Sequence, residues 1–183
     1  MDTAENILIQ KIQKGDQAAF ERLFRNYYAA LCDYARGYVE KPDIAEDQVQ
    51  DVFVNIWDQR KEWNPKGTIK SYLYKAVRNQ SLNYLKHRRI VEEWKQKEVS
   101  SSSPDVYPPT ERMVDPEQIK KWMQQAIGQL PEKRRMVYEL SRVHGLTYRE
   151  IAKVMDISIK TVETQMARSL KHLRNRLREY LKK

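Results

Sequence analysis

Residues 146–174, LTYREIAKVMDISIKTVETQMARSLKHLR, limit what this chain can fold into more than any other stretch, because they spell two short helices joined at one tight corner. Thr147 followed three residues later by Glu150 is a capping box, so a helix is expected to open at Tyr148, directly after a Gly145 suited to closing the helix before it. Ile151, Ala152 and Met155 recur at helical spacing, and Ile157 falls at the corner. Ser158 can cap a second helix with Val162, Met166 and Leu170 on its inner face. Asp156 stands where glycine is common. If that residue is left-handed, aspartate costs on the order of 1 kcal/mol more than glycine.

Two such helices make a helix-turn-helix, whose second helix enters the DNA major groove and meets base edges with its outward side chains. Here those are Lys160, Glu163, Thr164, Gln165 and Arg168. A helical hairpin that only builds core is the competing reading. It does not explain why the second helix runs on into Lys171, His172, Arg174, Arg176 and Arg178, a run suited to phosphates.

The rest of the chain is consistent with a nucleic-acid partner. Its 34 Lys and Arg against 25 Asp and Glu give a net charge of +9, which attracts polyanions. Few glycines and no alternating β-branched runs point to an all-helical protein. No apolar run approaches the length of a membrane span and no signal peptide opens the chain, so a cytoplasmic protein is expected. Cys32, the single cysteine, sits on an apolar face and reads as a small buried hydrophobe. His87, His144 and His172 lack metal-ligand spacing. No cofactor is expected, and without a carboxylate cluster or phosphate loop at usable spacing neither is an enzyme or a small-molecule substrate.

Residues 7–14 predict a short helix closed by Gly15, and Asp16 caps a longer one carrying Phe20, Leu23, Phe24, Tyr27, Tyr28, Leu31 and Tyr34. Residues 43–57, DIAEDQVQDVFVNIW, predict another, with Ala45, Val49, Val52, Phe53, Ile56 and Trp57 inward. Its outer face is acidic: Glu46, Asp47, Gln50 and Asp51. Two readings stand side by side, a solvated face and a docking surface for a protein partner. After a loop at residues 61–68, a helix from about residue 70 turns Leu73, Ala76, Val77 and Tyr84 inward. That leaves Lys75, Arg78, Asn79, Asn83, Lys86, Arg88 and Arg89 to solvent. Cations with amides suit DNA strands that are opened as well as held. Tyr72 and Tyr74 are expected to pack in the core in preference to stacking on bases.

Residues 96–115 lose all periodicity and are rich in serine and proline, which marks a flexible linker between domains at 1–95 and 116–183. Asp115, Pro116 and Gln118 restart order, followed by a stripe of Ile119, Met123, Ile127 and Leu130. Pro131 opens a helix in which Met136, Val137, Leu140 and Val143 are expected to pack inward. The C-terminal part is thus a four-helix domain.

Four segments in order, GDQAAFERLFRNYY, DIAEDQVQDVFVNIW, SYLYKAVRNQSLNYLKHRR and LPEKRRMVYELSRVHGLTYREIAKVMDISIKTVETQMARSLKHLR, give a chain that resembles the extracytoplasmic-function subfamily of bacterial RNA polymerase sigma factors. The resemblance implies that Asp47, Gln50 and Asp51 dock on the clamp helices of core RNA polymerase. It implies that Trp63, Asn64, Lys66, Gly67 and Thr68, with Arg78, Asn79, Asn83, Lys86, Arg88 and Arg89, read and open the minus-ten promoter element by capturing an everted base. The second helix of the pair, with Lys160, Thr161, Glu163, Thr164, Gln165, Arg168 and Lys171, would read the minus-thirty-five element. An anti-sigma protein is a further implied partner. A stand-alone helix-turn-helix regulator is the alternative, and it predicts tight duplex binding without polymerase.

Overall fold

A computed structural model describes residues 3–39, 41–95 and 116–181, with backbone alone at 90–95, 116–120 and 181. The expected linker at 96–115, the cap at Asp115 and the side chain of Ile119 lie outside the described residues. Eight helices and no strands are present among those residues: α1 (Thr3–Gln13), α2 (Gln17–Ala35), α3 (Pro42–Asp58), α4 (Ile69–Lys95), α5 (Pro116–Gly128), α6 (Glu132–Arg142), α7 (Tyr148–Met155) and α8 (Ile159–Leu181).

Local chemistry sets the helix ends. Asp16 caps α2 by accepting from the Ala19 N–H at 3.0 Å, after Gly15 turns the chain at φ 84°. Thr147 and Glu150 form the capping box of α7, and the Ser158 hydroxyl accepts from the Thr161 N–H at 3.0 Å to open α8. Between them Asp156 is left-handed, at φ 57° and ψ 49°. Its carboxylate sits at the negative end of the α7 dipole, a second unfavourable term. Asp156→Gly is therefore expected to raise stability by about 1 kcal/mol in urea denaturation. A lower midpoint would mean that the aspartate has a compensating partner.

Helices α1–α4 pack on one another, with α2, α3 and α4 in mutual contact, and α5, α6 and α7 pack on α8. Rings from α2 and α3 interlock in the first group: Phe24 meets Phe53 at 4.9 Å and Phe20 meets Trp57 at 4.9 Å. Leu23, Leu31, Val49, Leu73 and Val77 are sealed from solvent, and Cys32 is buried beside them. In the second group Leu140, Ile151, Val162 and Met166 form the centre, and Trp122 of α5 lies 5.4 Å from Tyr180 of α8. Burying such side chains stabilises by roughly 1.5–3 kcal/mol each.

Val143 departs from its expected place. It is 68% exposed, because α6 ends at Arg142 and Val143 is the capping residue, past the last turn whose stripe faces α8. Tyr74, by contrast, is only 1% exposed and belongs to the core.

The two groups are joined. Helix α7 packs against α4, and one cluster of buried side chains runs from Ile9 of α1 to Met166 of α8.

Candidate nucleic-acid and polymerase interfaces

Three surfaces hold the residues that the sequence singles out. The first is the outer face of α3. Asp47, Gln50 and Asp51 are all exposed there, the last two one helical turn beyond the first, and the patch is braced from both sides. The Gln50 amide donates to the Tyr28 hydroxyl of α2 at 3.2 Å, and the Gln80 amide of α4 donates to Asp51 at 3.1 Å. Glu46 lies farther round, 4.0 Å from Arg36. Val54, 56% exposed one turn beyond Gln50, gives the acidic patch an apolar margin.

The second surface is the loop before α4 and the outer face of α4. Gly67 turns the loop at φ 103°, a conformation open to glycine and costly for other residues. Thr68 then caps α4, its hydroxyl oxygen accepting from the Ser71 N–H at 3.2 Å, while the Glu5 carboxylate accepts from the Ile69 N–H at 3.2 Å. Asn64 and Lys66 are exposed. On α4, Lys75, Asn79, Asn83 and Lys86 follow at steps of four, four and three and share one exposed face, and Arg88 and Arg89 are exposed as well.

Two residues of that set are placed differently from expectation. Trp63 is 5% exposed, edge-on to Tyr72 at 5.9 Å, with its carbonyl accepting from the Gln13 amide at 3.0 Å. Its indole N–H is buried and has no hydrogen-bond partner among the described residues. Burial of the large ring outweighs the cost of leaving that one buried polar atom unbonded, so Trp63 shapes the loop from beneath. Arg78 is half-buried and lies against the Tyr38 hydroxyl, where its charge opposes the burial that raises Tyr38.

The third surface is α8. Lys160, Glu163, Thr164, Arg168 and Lys171 are exposed, and Thr161 and Gln165 are half-buried at the edge of the strip. Thr164 donates to the Lys160 carbonyl at 2.9 Å. The Gln165 side-chain oxygen accepts from Arg134 at 3.4 Å. Farther along, His172 and Arg176 are turned inward in part, and Arg176 pairs with Glu179 at 2.7 Å.

Spacing did not reveal a seam between α4 and α7. The Thr68 hydroxyl donates to Glu150 at 2.5 Å and the Lys70 ammonium reaches the Gly145 carbonyl at 3.4 Å. The His144 ring lies 5.8 Å from Tyr34 and 5.1 Å from Tyr74. Beside the seam, Asn64, Lys66, Tyr72, Lys75, Arg149, Lys153, Asp156 and Ile159 line a groove of about 930 Å³.

Burial works to raise the Glu150 carboxyl, but bonds from the Thr68 hydroxyl and from Thr147, with Lys70 nearby, hold it below its ordinary 4.5. Burial lowers the His144 imidazole from 6.5; nearby Asp33 opposes this and Lys70 adds to it. Docking therefore prefers neutral His144. Its contribution is complete above pH 6.5 and is lost as pH falls through the lowered value, and Glu150 adds a second loss below pH 4.5. Imidazole signals followed by NMR are expected to place the His144 midpoint below 6.5, with seam resonances moving in step. A midpoint above 6.5 would reverse the sign.

Comparison with known proteins matches residues 23–90 to Sigma-70 region 2 and residues 120–173 to Sigma-70, region 4. The ECF RNA polymerase sigma-E factor of Escherichia coli strain K12 is 26% identical over 187 residues, covering 98% of this chain and 97% of the relative. That of Haemophilus influenzae is 26% identical over 181 residues, covering 94% and 95%. Among solved structures, CnrH in complex with the cytosolic domain of CnrY shares the fold at a TM-score of 0.65 and 23% identity, covering 96% of this chain and 98% of that one. The sigma factor RpoE of Bartonella quintana, in complex with the anti-sigma factor NepR, does so at 0.62 and 22%, covering 87% and 96%. An acid-faced helix, a cation-and-amide helix and a helix-turn-helix thus stand in the order of sigma-70 regions 2 and 4, in a chain aligned end to end with sigma-E factors, and the chain belongs to the extracytoplasmic-function group of the sigma-70 family.

Proposed function

We propose that this protein docks on core RNA polymerase and directs transcription initiation at chosen promoters, reading and opening promoter DNA without catalysis of its own. The observation that carries the reading is the pair of sigma-70 matches, region 2 before region 4, in a chain that covers almost the full length of its sigma-E relatives. Residues 1–95 form the polymerase-docking and minus-ten domain, 96–115 the linker and 116–183 the minus-thirty-five domain. Asp47, Gln50 and Asp51 meet the polymerase. Asn64, Lys66, Gly67, Thr68, Asn79, Asn83 and Lys86, with Arg88 and Arg89, meet the minus-ten strand: cations hold phosphates while amides bond opened base edges. Lys160, Thr161, Glu163, Thr164, Gln165, Arg168 and Lys171 lie in the upstream major groove.

Neither domain needs to bind tightly by itself, because the tether raises the effective concentration of the second once the first is bound. The protein acts in the cytoplasm, where polymerase is. An anti-sigma protein is a partner of the same reading, supported by the NepR-bound Bartonella quintana relative. The stand-alone regulator is disfavoured, since the first half matches a sigma-70 region as the second does.

Run-off transcription with purified core polymerase tests this: added protein is expected to start transcripts at a defined set of promoters, and no change in initiation would end the reading. Within it, Arg168→Ala is expected to cost about 1–3 kcal/mol and relax selectivity at one upstream base pair. An equal loss on every promoter would assign Arg168 to phosphate.

A further inference from the structure

Arg134 lies on α6, outside every surface that spacing picks out, yet it touches the second helix of the helix-turn-helix. Its Nε–H donates to the side-chain oxygen of Gln165 at 3.4 Å. The backbones of the two helices are held together at the same level. The Ser169 hydroxyl, sealed from solvent, donates to the main-chain carbonyl of Gln165 at 2.9 Å with the main-chain carbonyl of Arg134 3.5 Å away, and Met166 next to Gln165 is 1% exposed. Packing of α6 on α8 therefore fixes where the guanidinium stands relative to the amide.

A guanidinium donates and never accepts, whereas an amide has an accepting oxygen and a donating NH2. Gln165 can meet Arg134 only through its oxygen. Turned over, the amide would set its own hydrogens against a positive charge and lose a charge-assisted bond, roughly twice as strong as a neutral one. A glutamine that could offer either end to a base is thus held in one sense, with its oxygen toward α6 and its NH2 away from it.

We infer that Arg134 is a positioning residue that sets the base preference of the recognition helix: it commits Gln165 to donating, and so to the guanine edge of a G·C pair. The inference deepens the proposed function and rests on it for the claim that Gln165 meets base edges. In the major groove guanine presents two acceptors, N7 and O6, which suit the hydrogens of an NH2 group, while cytosine presents only a donor. Glutamine commonly pairs with adenine through its oxygen and nitrogen together. With the oxygen turned to Arg134, one of those two bonds is given up, and the adenine amino group faces another donor.

The test is run-off transcription with the full chain and core polymerase, on promoters in which each upstream base pair is replaced in turn by the other three. The wild type is expected to favour guanine over adenine at one position by about five-fold or more, the lower end of what a base contact discriminates. Arg134→Met keeps an unbranched apolar stem but has no donor, and is expected to reduce that ratio to about two-fold or less. Arg134→Lys, which still only donates, is expected to retain it. Gln165→Glu keeps a partner for Arg134 but has no hydrogen to give, and is expected to move the preference to cytosine at the same position. An equal loss on every upstream sequence in Arg134→Met would assign Arg134 to phosphate and overturn the inference. So would a wild-type preference for adenine, or one that neither Arg134→Met nor Gln165→Glu alters. The bond is read separately, without polymerase or DNA: the NMR signal of the Arg134 Nε–H is expected to shift in Gln165→Leu, and a signal that stays in place overturns the bond on which the preference depends. A wild type that starts no transcripts, with that shift observed, would end the proposed function and the base preference with it, while the bond between α6 and α8 stands.

Discussion

Leu140→Ala is expected to destabilise the C-terminal helices by about 3 kcal/mol, whereas Val143→Ala, three residues on in the same apolar stripe, is expected to change stability by less than about 0.5 kcal/mol. Leu140 has no solvent exposure, and removing three carbons leaves a cavity that α7 and α8 can close only in part. Val143 is 68% exposed and already in water. Urea denaturation followed by circular dichroism checks both. Equal losses would mean that Val143 is covered in solution. A loss at Leu140 under 1 kcal/mol would mean that its surroundings collapse around the gap.

Reversing charge at the acidic patch is the second large effect. Asp47→Lys with Asp51→Lys is expected to weaken capture of core polymerase by about 30-fold or more, since like charges set against a complementary surface cost several kcal/mol. The fold is expected to survive: both carboxylates are exposed, and among the described residues the one bond lost is Gln80 to Asp51, a surface contact of modest value. Polymerase affinity measured by fluorescence anisotropy, with helical content as the control, distinguishes the outcomes. Unchanged affinity would reduce the patch to a solvated face that keeps a basic protein soluble.

Much of the candidate site is legible in the residues. The capping box at Thr147 and Glu150, the left-handed corner at Asp156 and the exposed strip of Lys160, Thr164, Arg168 and Lys171 all stand where spacing puts them. So does the acidic face of α3. The misplaced residues share a reason. Trp63, Arg78 and Val143 lie at element ends or on faces where a second element decides what is covered, and periodicity along one helix carries no information about a neighbour. Glu150 is the clearest case: its bond to Thr147 follows from a gap of three residues, while its bond to Thr68 crosses 82 residues of chain.

The residues by themselves determined which segments are helical, which ends carry caps, as at Asp16, Thr147 and Ser158, and most of each apolar stripe. Those are matters of propensity, capping and a 3.6-residue period, settled within a turn or two of chain. Tertiary structure alone decided that His144 sits on Tyr34 and Tyr74, that Lys70 reaches Gly145, and that the helix-turn-helix rests on the loop before α4. These contacts join residues far apart in the chain, and they lie along a buried apolar cluster that runs through both halves. Their existence depends on the shape of two assembled surfaces, which no local pattern encodes.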